Sequence, residues 1–382
     1  MHYWVWLNLK SFENYMADLK KLTKQVKDKL HRKYLDVDLF LTHLKRKAAN
    51  TAARPNGKPA VWLDLSGNSY VRFSYIIAKY LQLEGYQVFY KPNLKFMLSL
   101  GAPYARLLIH ENEVVFSNEI PKNAVAIFSD HQSKKLGCKS ISNDYFSTIF
   151  EHPKGSYHIP IGMHPNMYKK GLWNAPVSVA ERKRSIFFAG NFNPGVYKRL
   201  SKNKKFAMVD RVEIGRLLAT LPNCSFPKSY DELLNNHADG KIDIVQQANF
   251  KVPMEVLRPT IARYSFFIAC PGVDMPLSHN LIEAMSVGAI PIIHQEYSDM
   301  LVPQLQDMAN ALIYNNENFM EVIQKALSLD TAQITAMAAE VKSYYDLHLT
   351  PKGMVEKLVS PDYKEYFLNA ERTSVGMMKR SR

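Results

Sequence analysis

Arg263-Tyr264-Ser265-Phe266-Phe267-Ile268-Ala269-Cys270-Pro271-Gly272, then Val273–Leu277, then Ser278-His279-Asn280-Leu281-Ile282-Glu283-Ala284-Met285-Ser286-Val287-Gly288 and Ala289-Ile290-Pro291-Ile292-Ile293, is the stretch that decides the fold. An unbroken apolar run stops at Pro-Gly, where the backbone can approach a ligand closely. A helical pattern over Leu277–Val287 follows, with Ser278 where an N-cap belongs and Gly288 where a helix ends. A second apolar run then returns. This is a strand–helix–strand unit of a parallel sheet. The start of such a helix offers unpaired N–H groups and a partial positive charge, suited to a diphosphate. Glu283 lies about one and a half turns further on, a distance from which a carboxylate reaches a ribose's paired hydroxyls.

The pattern continues on both sides. Strands are expected at Ser185–Ala189 and Ile242–Val245, and helices at Val209–Leu221, Val256–Ala262, Phe319–Leu329 and Thr331–Tyr345. An earlier unit of the same kind starts with a strand at Ala60–Leu65, a helix at Tyr70–Leu83 and a strand at Tyr86–Tyr90. Arg106–His110, Val114–Phe116 and Ala124–Ser129 read as further short strands. The expected organisation is a basic amphipathic segment (1–55), a first Rossmann-like domain (56–165), a linker rich in Pro, Gly and Asn (166–183), a second Rossmann-like domain (184–345) and a C-terminal helix with a basic tail (346–382).

With 382 residues, 47% hydrophobic and 22% charged, the chain has the composition of a folded two-domain protein and excludes a disordered, collagen-like or coiled-coil one. Cys138, Cys224 and Cys270 are too few and too scattered for a disulfide framework or a zinc site, which points to a reducing compartment. No apolar run reaches the ~18 residues of a transmembrane helix, and the N-terminus does not read as a signal peptide. A cytoplasmic location is expected, with attachment to the inner face of the cytoplasmic membrane left open.

The net charge of +14 points to anionic partners. Residues 1–60 hold 13 basic and 5 acidic side chains, a local excess of +8. Leu19, Leu22, Val26 and Leu30 recur among these lysines at helical spacing, after an aromatic group of Tyr3, Trp4 and Trp6. Residues 1–50 therefore suit either a solvated helix or docking on an anionic membrane surface. Nucleic acid is not expected, since no zinc-finger spacing, homeodomain pattern or RNP-like strand occurs.

The stretch around Cys270 resembles the donor-sugar half of GT-B glycosyltransferases. It is particularly similar to the exostosin-like family, at Cys270, Pro271, Ser278, Glu283, Ala284, Gly288, Ile290, Pro291 and Ile293. Arg184-Ser185-Ile186-Phe187-Phe188-Ala189-Gly190-Asn191 followed by Arg199 resembles the opening of the same domain. The fucosyltransferases are a second likeness. The resemblance covers about residues 184–295, and Asn280 stands where the family has arginine.

It implies an α/β fold of GT-B type, two Rossmann-like domains facing a central cleft. The implied activity is metal-independent transfer of a sugar from a nucleotide-sugar, bound as substrate with no cofactor. The implied acceptor is a glycan or lipid-linked glycan, as in lipopolysaccharide, capsule or other cell-surface polysaccharide assembly. A nucleotide-sugar epimerase of the same fold and a non-catalytic anion- or glycan-binding protein are the alternatives.

The donor-binding residues expected are Gly190, Asn191, Arg199, Arg263, Pro271, Gly272, Ser278, His279, Asn280 and Glu283, with Lys204 and Lys205 as further cations for the diphosphate. A base on the acceptor hydroxyl should come from the first domain. Asp64 and the pair Asp130-His131 are the candidates, with His164 a weaker one. His152-Pro153 and His164-Pro165 resemble the His-Pro pairs of some sialic- and Kdo-transferring enzymes.

Overall fold

The computed structural model describes scattered residues between 23 and 42 and the stretches 57–65, 71–91, 103–111, 114–131, 137–151, 153–178, 182–202 and 205–378. The first domain is built from β1 (Ala60–Asp64), α1 (Val71–Leu83), β2 (Gln87–Tyr90), α2 (Pro103–Ile109), β3 (Val114–Phe116), β4 (Ala124–Ser129), β5 (Cys138–Ser142) and β6 (Ser156–Ile159). A short helix α3 (Pro165–Lys169), in the segment read as a linker, leads toward the second domain.

The second domain comprises β7 (Lys183–Gly190), α4 (Arg211–Leu218), β8 (Cys224–Ser225), β9 (Ile242–Gln246), α5 (Met254–Ala262), β10 (Tyr264–Ile268), α6 (His279–Met285), β11 (Ile290–His294), β12 (Leu312–Tyr314), α7 (Phe319–Ser328) and α8 (Thr331–His348). The chain then returns to the first domain through α9 (Pro351–Val359), β13 (Glu365–Leu368) and α10 (Arg372–Met377).

Both sheets are parallel throughout. The first has seven strands in the order β3-β2-β1-β4-β5-β13-β6, the second six in the order β12-β11-β10-β7-β9-β8. Their central strands β1, β10 and β11 are buried along their whole length, which is why they read as continuous apolar runs rather than alternating ones. Alternation along β1 sends Val61 and Leu63 into the main core and Ala60 and Trp62 to the other face, against Phe89 and Val115. The expected fold class, two parallel-sheet α/β domains of Rossmann type, is the fold observed.

Two expectations are corrected. Arg106–His110 is not a strand but the end of helix α2, opened by Pro103 in its first turn. A five-residue apolar run has no period that separates the two states, and proline at a helix start needs no N–H partner. The segment 346–382 is not only a helix with a tail. Its strand β13 inserts between β5 and β6, with Tyr366 opposite Ile141 on one side and Tyr157 on the other. Lys379–Arg382, residues 1–22 and residues 43–56 lie outside the described residues.

Candidate active site

In open parallel sheets the loops leaving the carboxyl ends of the strands line the ligand crevice. Here those ends of both sheets flank one cleft of about 310 Å³. The first domain contributes Arg72, just after β1, Ile161, just after β6, and Glu371, just after β13. The second contributes Gly190 and Asn191 at the end of β7, Gln247 after β9, Gly272–Met275 and Leu277 after β10, and Ser278, His279 and Asn280 at the start of α6.

Two arginines organise this cleft, one from each domain. Arg211 is buried at the first position of α4. Its guanidinium donates to Pro271 O at 2.9 Å and Asn191 O at 3.5 Å, and lies 4.2 Å from the centre of the Tyr197 ring. It thereby ties together the two turns that end β7 and β10. Both turns need their glycine. A Cβ on Gly190 would stand 2.7 Å from the Phe188 ring and 3.2 Å from Arg211, and one on Gly272 would stand 2.7 Å from Met275 O.

Arg72, buried at the second position of α1, donates to Glu371 Oε1 at 3.0 Å and reaches the ring nitrogens of His279 across the cleft. It also stacks on Tyr104 at 5.1 Å. The Nε atoms of Arg72 and Arg211 and Oδ1 of Asn280 are buried without a hydrogen-bond partner, three unsatisfied polar atoms around one cleft.

Of the expected donor contacts, Gly190, Asn191, Gly272, Ser278, His279 and Asn280 line this cleft, and Pro271 holds Arg211 beside it. Ser278 occupies the N-cap position but its hydroxyl makes no capping bond. Its N–H donates to the Tyr297 hydroxyl at 2.7 Å. Arg199 is half exposed, 3.7 Å from Asp274 on the rim. Arg372 holds the same carboxylate at 2.8 Å.

Two expected residues have other environments. Arg263 lies just before β10, at the opposite end of the strand from Pro271, and Ile268, where the strand ends, is about 17 Å away at 3.3 Å per strand residue. Arg263 donates to Leu234 O. It lines a larger hollow of about 1070 Å³ with Arg182 and Lys183, whose charged groups are already engaged by Val287 O, Asn236 O and Asp243. Lys205 is turned to Val375 O and Met378 O, fastening α10. Lys204 and His152 lie outside the described residues.

Glu283 is buried beneath the cleft rather than lining it. Its carboxylate accepts from His164 N–H at 3.2 Å, and burial pushes its pKa up to about 7 against the lowering effect of that bond and of Arg72 and Arg258. The burial of Glu283 was invisible in the spacing, because the seven-residue helix α6 buries every residue from Leu281 to Met285 and leaves only His279 and Asn280 part exposed.

His164 caps α3, its Nδ1 accepting from Asn166 N–H at 3.2 Å, with its ring 5.3 Å from that of His279. Burial, with help from Arg72 and Lys251, lowers its pKa to about 4, so the ring is neutral at ordinary pH.

The three base candidates come together at the carboxyl ends of the adjacent strands β1 and β4. His131 Nε2 stands 3.6 Å from Asp64 Oδ1 and 3.6 Å from Asp130 Oδ1. One ligand atom from each of the three lies within 4.8 Å of the others, close enough to share a cation. Lys91 Nζ already stands 2.7 Å from Asp64 Oδ2 and supplies positive charge there. The loop Ser66-Gly67-Asn68 beside them lies outside the described residues.

Sequence reading missed Arg72 and Arg211 although both carried a signal. Each is an arginine in the first turn of a helix, where the helix dipole opposes a cation. Such a residue has to be held by something else, here Glu371 and the Pro271 carbonyl. Glu371 was hidden by the unforeseen return of the chain.

No family model matches the chain, and no curated protein matches it. Solved structures similar to it include a glycosyltransferase from Rickettsia africae, at 12% identity and TM-score 0.41, covering 79% of this chain and 97% of that one. HepE of Anabaena in complex with UDP-glucose is similar at 8% identity and TM-score 0.39, covering 78% and 97%. WaaG, a glycosyltransferase of lipopolysaccharide biosynthesis, is similar at 12% identity and TM-score 0.36, covering 78% and 99%. At such identities and scores a likeness carries no function with it.

Proposed function

We propose that the protein is a glycosyltransferase whose nucleotide-sugar donor lies in the cleft between the two sheets, its diphosphate between Arg211 and Arg72. The observation that carries this reading is the pair of buried arginines that line one crevice from opposite domains. A diphosphate leaving group carries concentrated negative charge, and guanidinium groups match phosphate oxygens two at a time. Held in place before the reaction, they stabilise the charge that grows on the leaving oxygen without reorganising. Ser278, His279 and Asn280, at the start of α6, line the same space. The arginine cations supply the charge that a metal ion would otherwise bring, so the proposed chemistry is metal-independent.

The base that takes the acceptor's proton is His131, whose Nε2 stands 3.6 Å from a carboxylate oxygen of each of Asp64 and Asp130. Glu283 acts through His164, setting the loop that follows β6, and is a positioning residue rather than a ribose contact. The acceptor, a glycan of a cell-surface polysaccharide, and the exostosin-like placement rest on the sequence resemblance alone.

The test is a melting-temperature screen with UDP-, GDP- and CMP-sugars followed by a transfer assay. A bound donor raises the melting temperature by mass action. His131→Asn should then retain that shift and lose about 10²-fold or more in transfer rate. No shift with any nucleotide or nucleotide sugar would sink the reading. Turnover of free donor into its epimer without an acceptor would replace it.

A further inference from the structure

We propose that the exposed side chains of Val26, Leu30, Tyr34, Val37 and Leu41 form a docking surface for an anionic lipid bilayer. Among the described residues nine large apolar side chains are exposed, and five of them are Val26, Leu30, Tyr34, Val37 and Leu41. All five are at least half exposed, Tyr34 at 70% and Leu30 at 64%. The described residues between Thr23 and Thr42 are helical. At 3.6 residues per turn the five side chains fall within an arc of about 80°, one continuous stripe. Isolated exposed apolar residues are ordinary, but five aligned on one helix face and facing solvent are not.

Charge selects the occupant. Residues 1–60 carry 13 basic against 5 acidic side chains, and Lys24 and Lys27, with the single carboxylate of Asp28 beside them, are exposed on the same helix. A second copy of the helix would bring two lysine-rich segments together. A nucleic acid would satisfy the lysines and leave the stripe in water. The surface of an anionic bilayer satisfies both, with acyl chains for the stripe and headgroups for the cations. Tyr34 has the amphipathic shape that settles at that boundary. The stripe is about 23 Å long at 1.5 Å per residue, so it lies in the interface and does not cross it. No helix among the described residues is long and apolar enough to span a membrane.

The surface is independent of the cleft, and binding to vesicles reads it without any sugar transfer. The full chain is sedimented with phosphatidylcholine vesicles with and without phosphatidylglycerol, at low and high salt. It should pellet with the anionic vesicles, weaken with salt and stay largely in solution with phosphatidylcholine alone. Leu30→Glu with Tyr34→Glu should weaken binding about a hundredfold with an unchanged melting temperature. Lys24→Glu with Lys27→Glu, which halves the net charge of residues 1–60 from +8 to +4, should weaken binding to the anionic vesicles and lessen its salt dependence. Leu347→Glu, an equally exposed residue on α8, should change nothing. No pelleting with anionic vesicles, or equal pelleting of the stripe variant, would overturn the proposal. A wild-type dimer that the stripe variant turns into a monomer, without vesicle binding, would overturn it in favour of a second copy.

Discussion

Arg211 and Glu283 are both buried and charged or chargeable, and they face opposite problems. Around the Arg211 guanidinium two carbonyl oxygens and an aromatic face replace water. Lysine offers one point charge and cannot span Pro271 O, Asn191 O and a phosphate together. Arg211→Lys should therefore weaken nucleotide binding almost as much as Arg211→Ala, by about 10²-fold, measured by titration calorimetry with the nucleotide found in the screen. Full rescue by lysine would mean that charge alone matters there. Glu283 has only one N–H on its carboxylate and is pushed up to about 7. Its folded pKa is above its unfolded one, so the native state holds the proton longer. The stability this contributes is full below about pH 4.5 and is lost as pH rises to about 7. Glu283→Gln keeps an acceptor for His164 N–H and cannot ionise. Relative to wild type it should gain on the order of 3 kcal/mol between those pH values, read by urea unfolding at pH 5 and pH 8. A variant with the same pH dependence as wild type would show that the buried carboxyl does not titrate there.

At the level of elements, legibility followed contact range. β1, β7, β10 and β11 are buried on both faces and show as apolar runs, and α7 and α8 are long enough to show their period. The turn glycines Gly190 and Gly272 were readable for the same local reason. Strand β13 was not, since only Tyr366, Phe367 and Leu368 of it are apolar and its partners lie more than 200 residues earlier. Arg72 and Glu371 are hidden by the same distance, because their ion pair forms only when that strand comes back. The position of β13 has a cost when it is lost. Lys139 on β5 donates to Ser360 O and Tyr363 O, and the Tyr366 hydroxyl is bonded to Lys139. A chain ending at residue 360 leaves β5 and β6 without a shared neighbour and empties the space of Tyr366 and Phe367, both buried. Losing two such rings from a core costs about 6–10 kcal/mol, comparable to the stability of a whole domain. The truncated chain should lose the cooperative unfolding of its first domain in circular dichroism and be cut there by protease under native conditions. A truncated chain that melts as the full one does would show that β13 is an accessory strand.

Across the whole molecule the two domains are joined twice, by the segment through α3 and by the return through α9, and α10 is fastened to the second domain by Lys205 and by Arg372 on Asp274. Between these connections the cleft is bridged by Arg72, which reaches Glu371 on its own side and His279 on the other. A ligand with charge at both walls would therefore be held by both domains at once, and its binding energy would depend on each. This gives a prediction about coupling. Arg72→Ala and Arg211→Ala should each reduce the melting-temperature rise produced by the nucleotide. If one diphosphate lies between the two side chains, the double variant should lose less than the sum of the single losses, since once either domain has released the ligand the other has little left to hold. At a ligand concentration of about 100 times the dissociation constant, the wild-type rise reflects about 2.7 kcal/mol, and a tenfold weaker variant about 1.4, a difference that a melting curve resolves. Losses that simply add would place the two arginines on separate ligands. An Arg72→Ala variant with an unchanged rise would confine nucleotide binding to the second domain and leave Arg72 as a latch between the two.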